Sequence, residues 1–126
     1  QLRSGAIKAR TRDHSHVELL LREGLIAESE MRNHPMRNFV ECCSGGDVPL
    51  PDMSVTARNK LEPGDMLLVC TDGLWSGLDD EQIASLSTSP RDHLRAALVT
   101  IGERAVSNSA PYADNTSAAA IRWLGP

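Results

Sequence analysis

The chain is 126 residues long, with 40% hydrophobic and 24% charged residues and a net charge of −4, the balance expected of a folded, soluble domain or a large piece of one. It has no dense Lys/Arg stripe with interleaved aromatics, which argues against nucleic acid as its main partner. No apolar run is long enough to span a membrane, and no signal peptide is visible.

With one Phe, one Tyr and two Trp, the core must be built from aliphatic side chains. Charge is unevenly spread. Residues 1–40 hold seven Lys/Arg against five Asp/Glu, whereas residues 41–126 hold six against twelve. An acidic second half suits a cation site, but it also suits an ordinary solvated surface. Cys42, Cys43 and Cys70 fit no zinc spacing and read as reduced, small apolar residues of a cytoplasmic protein.

In chain order, residues 2–10 predict two short strands around a Ser4-Gly5 turn. Asp13-His14-Ser15 reads as a helix start, with Val17, Leu20 and Leu21 on one face and Gly24 as the stop. A second short helix is expected over Glu28 to Asn33, ended by Pro35. Phe39 to Ser44 reads as a strand before a Gly45-Gly46-Asp47 turn, and Met53 to Leu61 alternates like a half-buried strand. Glu62-Pro63-Gly64-Asp65 is a tight turn by composition. Met66 to Cys70 is a continuous apolar run, which predicts a strand covered on both faces.

Leu78-Asp79-Asp80-Glu81 supplies an N-cap and an acidic first turn for a helix to about Leu86. Ser89-Pro90-Arg91-Asp92 starts another helix, whose apolar stripe is Leu94, Leu98, Ile101 and Ala105. A loop over Asn108 to Ala113 leads to a last strand, Ser117 to Trp123. The order of elements is not a regular βαβ alternation. It predicts an α+β fold, an antiparallel or mixed sheet with helices packed on it.

Two motifs invite chemistry. Thr71-Asp72-Gly73 places a carboxylate at the end of a buried strand, and the glycine lets the chain turn and another group approach. Hard cations such as Mg²⁺ and Mn²⁺ take oxygen ligands in such settings. A plain Asp-Gly turn accounts for the same residues about equally well. Asp114-Asn115 again puts an acid at a strand end, with an amide to fix its orientation; taken alone, a polar loop with an Asx turn is the simpler account. Asp13, His14 and Ser15 lie too close in sequence to form a triad, and an N-cap at Asp13 or Ser15 is their simpler role. Arg37 can grip an oxyanion through its guanidinium, though a surface-loop arginine is the plainer reading.

Arg12-Asp13-His14-Ser15, Glu30, His34-Pro35, Arg37-Asn38, Leu61-Glu62-Pro63-Gly64-Asp65, Thr71-Asp72-Gly73-Leu74 and Asp114-Asn115 occur in that order. Together they resemble the metal-dependent Ser/Thr phosphoprotein phosphatases, the PPM or type-2C family, in its bacterial form. The resemblance implies part of a β-sandwich of mainly antiparallel sheets flanked by helices. It implies a metal centre of Mn²⁺ or Mg²⁺, with Asp72 and Asp114 as ligands of one ion and Gly73 and Asn115 supporting them. It implies a flap-like segment over about residues 13–46, with Arg37 and His14 as candidates for contact with the phosphate or within the flap. The implied reaction is attack of a metal-activated water on phosphoserine or phosphothreonine of a protein partner.

The family's earlier motifs, with its bridging aspartate and phosphate-binding arginine, have no counterpart here. The expectation is therefore the C-terminal portion of such a domain, with no complete catalytic set of its own, weak or absent activity, and a tendency to self-associate through an uncovered sheet. The competing expectation is a non-catalytic regulatory or binding module. A phosphatase of the haloacid-dehalogenase type would need an aspartate where Cys70 stands.

Overall fold

The computed structural model describes residues 1–31, 33–37, 39–41, 55 and 57–126. Asn38, Cys42, Cys43, the Gly45-Gly46-Asp47 turn and Met53 lie outside the described residues. The chain divides into two compact units, one formed by Gln1–Arg10 with Asn59–Pro126 and the other by Thr11–Arg58.

The first unit carries the sheet. Strands β1 (Leu2–Arg3) and β2 (Ala6–Ile7) pair antiparallel. Ser4 and Gly5 both have positive φ, 49° and 77°, and a two-residue turn of that hand matches the twist of the strands it joins. Strand β3 (Met66–Cys70) pairs antiparallel with β1 and with β4 (Ala118–Arg122), giving the order β2-β1-β3-β4. Helices α3 (Asp72–Ser76), α4 (Asp80–Ala84) and α5 (Leu94–Ser109) complete the unit. The result is the α+β arrangement expected, with an antiparallel sheet.

The core is aliphatic. Leu2, Met66, Leu74, Leu78, Ile83, Leu86, Ile101 and Ala105 form one buried cluster, and Leu94 and Leu98 pack against it. The predicted stripe of α5 is therefore its inner face. Burying a side chain such as Leu74 or Met66 contributes roughly 1.5–3 kcal/mol.

The expectation that β3 is covered on both faces is corrected. Its burial alternates: Met66 is buried and Leu68 and Cys70 are half-buried, while Leu67 and Val69 are exposed. The register explains this, because Leu67 pairs with Ile121 and Val69 with Ala119. These four side chains share the face turned away from the core cluster, and Ile121 is exposed as well. An unbroken apolar run thus makes one face that packs on helices and another that stays exposed.

Other boundaries shift. The helix expected to reach Leu86 ends at Ala84 and tightens into a 3₁₀ segment over Ser85–Thr88. Arg91–His93 form a 3₁₀ turn before α5 begins at Leu94, and α5 runs on to Ser109, past the predicted loop start. Val55 and residues 57–61 belong to no strand, against the alternation read over Met53 to Leu61. Exposed alternation is a weak signal where no sheet edge receives it.

Asp79 caps α4 as predicted. Its carboxylate accepts the Gln82 N–H at 2.8 Å, and the Gln82 side chain accepts the Asp79 N–H at 3.0 Å. This reciprocal box satisfies two otherwise orphaned donors. Asp79→Ala is expected to cost about 1 kcal/mol in chemical denaturation; an unchanged midpoint would show that α4 is held by its packing alone.

The second unit holds α1 (His16–Arg22) and α2 (Glu28–Met31). Ser15 takes the N-cap position of α1 without a side-chain cap bond and forms an isolated bridge with Val40. That bridge is the described remnant of the strand expected from Phe39. Val17 is buried, and Arg12 pairs with Glu18 at 2.7 Å. His16 Nδ1 bonds Glu41, and its ring meets Phe39 edge-on at 5.9 Å.

Candidate metal site

Strand β3 delivers Thr71 and Asp72 to the rim of the sheet, and the segment before β4 delivers Asp114 and Asn115 to the same end. The antiparallel register requires this. Cys70, the last residue of β3, faces Ala118, the first of β4.

Beyond that pair, Thr71 ties the two segments together. Its N–H donates to the Ser117 carbonyl at 3.0 Å, and its hydroxyl accepts the Ser117 N–H at 3.0 Å. The same hydroxyl donates to the Asn115 carbonyl at 2.9 Å. This bridging role of Thr71 is invisible in its own neighbourhood, because it depends on a partner 44 residues away.

Gly73 is the second lock. It does not form the sharp turn read from Asp72-Gly73, because Asp72 opens α3 and Gly73 lies inside it. What it provides is closeness. A Cβ on Gly73 would sit 2.6 Å from the Asn115 carbonyl oxygen and 2.8 Å from Thr116 Oγ1. Only a residue without a side chain allows the two backbones to meet at this distance.

The carboxylates are held alike. Asp72 Oδ1 accepts the Gly73 N–H at 3.0 Å, and Asp114 Oδ1 accepts the Asn115 N–H at 2.6 Å. The Asn115 side chain is thus not what orients Asp114 here; its backbone N–H is. The Thr116 hydroxyl donates to the Asp114 carbonyl at 3.1 Å. Both aspartates are exposed. Each bond is local and uses one oxygen, so the second oxygen of each carboxylate stays available to water or a cation.

Two exposed carboxylates on adjoining backbones form an oxygen donor set of the kind a hard divalent cation takes, with water filling its other positions. Among the described residues no group of three or more His, Cys, Asp or Glu side chains is arranged to hold a metal. Cys70, a free thiol directly before Thr71, is half-buried, and burial pushes its pKa up. That keeps it protonated, as expected of an apolar residue.

His14 and Arg37, the candidates for phosphate or flap contact, lie in the second unit, and both are exposed. The His14 carbonyl accepts the Glu41 N–H at 2.9 Å, and the Arg37 N–H donates to the His34 carbonyl at 3.1 Å. No helix of the described residues is long and apolar enough to cross a membrane.

The chain carries part of the PPM, type-2C, Ser/Thr phosphatase fold. It superimposes on the PPM Ser-Thr phosphatase MsPP of Mycobacterium smegmatis with a TM-score of 0.70 and 32% identity, covering 98% of this chain and 50% of that one. With the S. agalactiae serine/threonine phosphatase the TM-score is 0.71 at 28% identity, over 96% and 48% of the two chains. In sequence it is 38% identical over 77 residues to a putative type-2C protein phosphatase of Streptococcus pyogenes, 60% of this chain and 30% of that protein. It is 32% identical over 82 residues to the serine/threonine protein phosphatase PstP of Mycobacterium tuberculosis, 65% of this chain and 15% of that protein. The chain thus spans about half the length of the structures it matches, and its matched segments cover a third or less of these two relatives. No protein-family model matches it.

Proposed function

We propose that this chain forms part of a metal-dependent protein phosphatase acting on phosphoserine and phosphothreonine, with Asp72 and Asp114 as two ligands of one Mn²⁺ or Mg²⁺ ion. The observation that carries the reading is the double lock between Thr71-Gly73 and Asn115-Ser117. It brings two carboxylates 42 positions apart in the chain to one rim, in a chain that shares sequence and fold with named Ser/Thr phosphatases. A solvated flexible loop has no need of such a lock.

The chain's own residues do the positioning. The Gly73 and Asn115 N–H groups hold one oxygen of each carboxylate, which fixes where the other points. Thr71 keeps the rim from opening. When bound, the cation would lower the pKa of a coordinated water and neutralise charge on the phosphoryl oxygens. Two protein ligands leave such an ion mostly hydrated, so the remaining donors and the grip on phosphate must come from other groups. Residues 13–46 are assigned to the flap of this reading, with Arg37 and His14 as its candidate contacts.

Mn²⁺ titration followed by electron paramagnetic resonance tests the ligands. Weak but saturable binding is expected for the native chain, and Asp72→Asn or Asp114→Asn should each weaken it at least ~10-fold. Asp79→Asn, an acid outside the rim, should leave it unchanged. Equal losses in all three variants would reduce the site to general surface charge. A Mn²⁺-dependent aryl-phosphate hydrolysis rate matching that of a full-length type-2C phosphatase would overturn the view that the two carboxylates are only part of a site.

A further inference from the structure

We propose that Asn108, in the last turn of α5, is a positioning residue for the candidate metal site. Its side-chain amide fixes the far end of α3 and thereby the place of Asp72 relative to Asp114. The proposal rests on the reading of both aspartates as ligands, and deepens it by naming a residue that acts on the pair from outside the rim.

The two carboxylates are carried by different backbones. Asp72 is the first residue of α3, and its carboxylate takes the N–H of Gly73 in the same helix. Asp114 takes the N–H of Asn115, in the segment before β4. A tilt of α3 therefore moves Asp72 and its anchor together, while Asp114 stays behind. At five residues, α3 is far shorter than the roughly 12–15 residues below which an isolated helix is marginal in water. Its placement must come from its neighbours.

Three contacts supply that placement. Gly73 closes on Asn115. Leu74 is fully buried in the core cluster with Ile101 and Ala105 of α5. Gly77, which ends α3, lies against the last turns of α5: a Cβ there would fall 2.3 Å from the Ala105 carbonyl oxygen and 2.7 Å from Ser109 Oγ. Asn108 completes this third contact, its Nδ2 donating to the Gly77 carbonyl at 2.9 Å. Carbonyls at the end of a helix have no partner within it, and this one is satisfied by a residue 31 positions along the chain. Asn108 is exposed, and asparagine is a poor helix former, so its amide serves the neighbouring helix rather than the core or its own helix. The same α5 then leads through residues 110–113 to Asp114. Its last turn is thus tied to Asp72 by a hydrogen bond through α3, and to Asp114 by the chain itself.

The test is Mn²⁺ binding, followed by electron paramagnetic resonance, in a double-mutant cycle of Asn108→Ala and Asp72→Asn. Circular dichroism checks that each variant is folded. Alanine is the better helix former and Asn108 is exposed, so Asn108→Ala keeps α5 intact. The net contribution of one hydrogen bond corresponds to roughly 2- to 10-fold in an equilibrium constant, and a helix that occupies its ligating position less often binds the ion more weakly by the same factor. Asn108→Ala should therefore weaken Mn²⁺ binding about 2- to 10-fold in the native background. It should have no further effect in the Asp72→Asn background, where α3 has no carboxylate to place. In the metal-free chain, hydrogen exchange of the α3 amides should quicken by a similar factor. Equal weakening in both backgrounds assigns Asn108 to general stability, and unchanged Mn²⁺ affinity or unchanged α3 exchange in Asn108→Ala removes it from the site. Each of these overturns the proposal and leaves Asp72 and Asp114 as ligands. Mn²⁺ binding that stays at native strength in Asp72→Asn overturns the metal reading and the proposal with it.

Discussion

Gly73→Ala is expected to destabilise the first unit by roughly 1–3 kcal/mol and to abolish Mn²⁺ binding together with it. The added methyl would meet the Asn115 carbonyl oxygen at 2.6 Å and Thr116 Oγ1 at 2.8 Å. The threonine side chain can rotate aside, but the carbonyl is backbone and is already tied to Thr71. Relief therefore requires α3 and the segment before β4 to move apart, which separates Asp72 from Asp114. Thermal unfolding and Mn²⁺ titration should report the two effects together, with a Tm lowered by roughly 4–12 °C. A variant of native stability and native Mn²⁺ affinity would show that the close approach is not what holds the two acids. In an isolated helix the same change would raise stability, since alanine is the better helix former, so the sign of the result separates the two causes.

The second large effect lies at the opposite end of β3. Asp65 is buried at 1% exposure. Arg3 grips it with two bonds, Nε to Oδ1 at 2.6 Å and Nη2 to Oδ2 at 2.8 Å. The Gln1 side-chain amide and the Glu62 N–H add bonds to Oδ2 at 2.8 and 3.0 Å. The Arg3 guanidinium, with these donors, holds the Asp65 carboxyl well below the usual carboxylate range, although burial opposes it. The Arg3–Glu62 pair adds little, because the Glu62 side chain is largely exposed.

The sign follows from linkage. A carboxyl with a lower pKa folded than unfolded stabilises the fold fully above its unfolded value, near 4, and the contribution fades as pH falls below that. Melting temperature should therefore stay level, as far as this group decides it, from about pH 5 upward, and drop below about pH 4. Asp65→Asn should lower the neutral-pH Tm by on the order of 10 °C, because Arg3 loses its buried counter-charge. It should also flatten the acid limb. An acid limb as steep in the variant as in the native chain would assign acid sensitivity to other carboxylates.

These two sites show where sequence reading stopped. Local features were legible because their causes are local. Ser4-Gly5 turns because two adjacent residues tolerate positive φ, and Asp79 with Gln82 forms its box within a single helical turn. The α5 stripe was legible because burial imposes a period on it, whereas the unbroken β3 run showed a strand and gave the wrong answer about its second face. Arg3 and Asp65 gave no signal, because 62 positions separate them and nothing in either neighbourhood anticipates the other.

The sequence by itself determined which residues are candidates: two aspartates at two strand ends, each beside a residue suited to support it, in motifs ordered as in type-2C phosphatases. It could not decide whether Asp72-Gly73 is a turn or whether the two aspartates reach the same rim, and it wrongly covered β3 on both faces. Tertiary structure decided these, because each depends on contacts between distant segments. Antiparallel pairing sets Cys70 opposite Ala118 and leaves Leu67 and Val69 on the face away from the helices. The Thr71 hydroxyl and the missing side chain of Gly73 then let two backbones close to contact distance, and that approach brings Asp72 and Asp114 to the same rim.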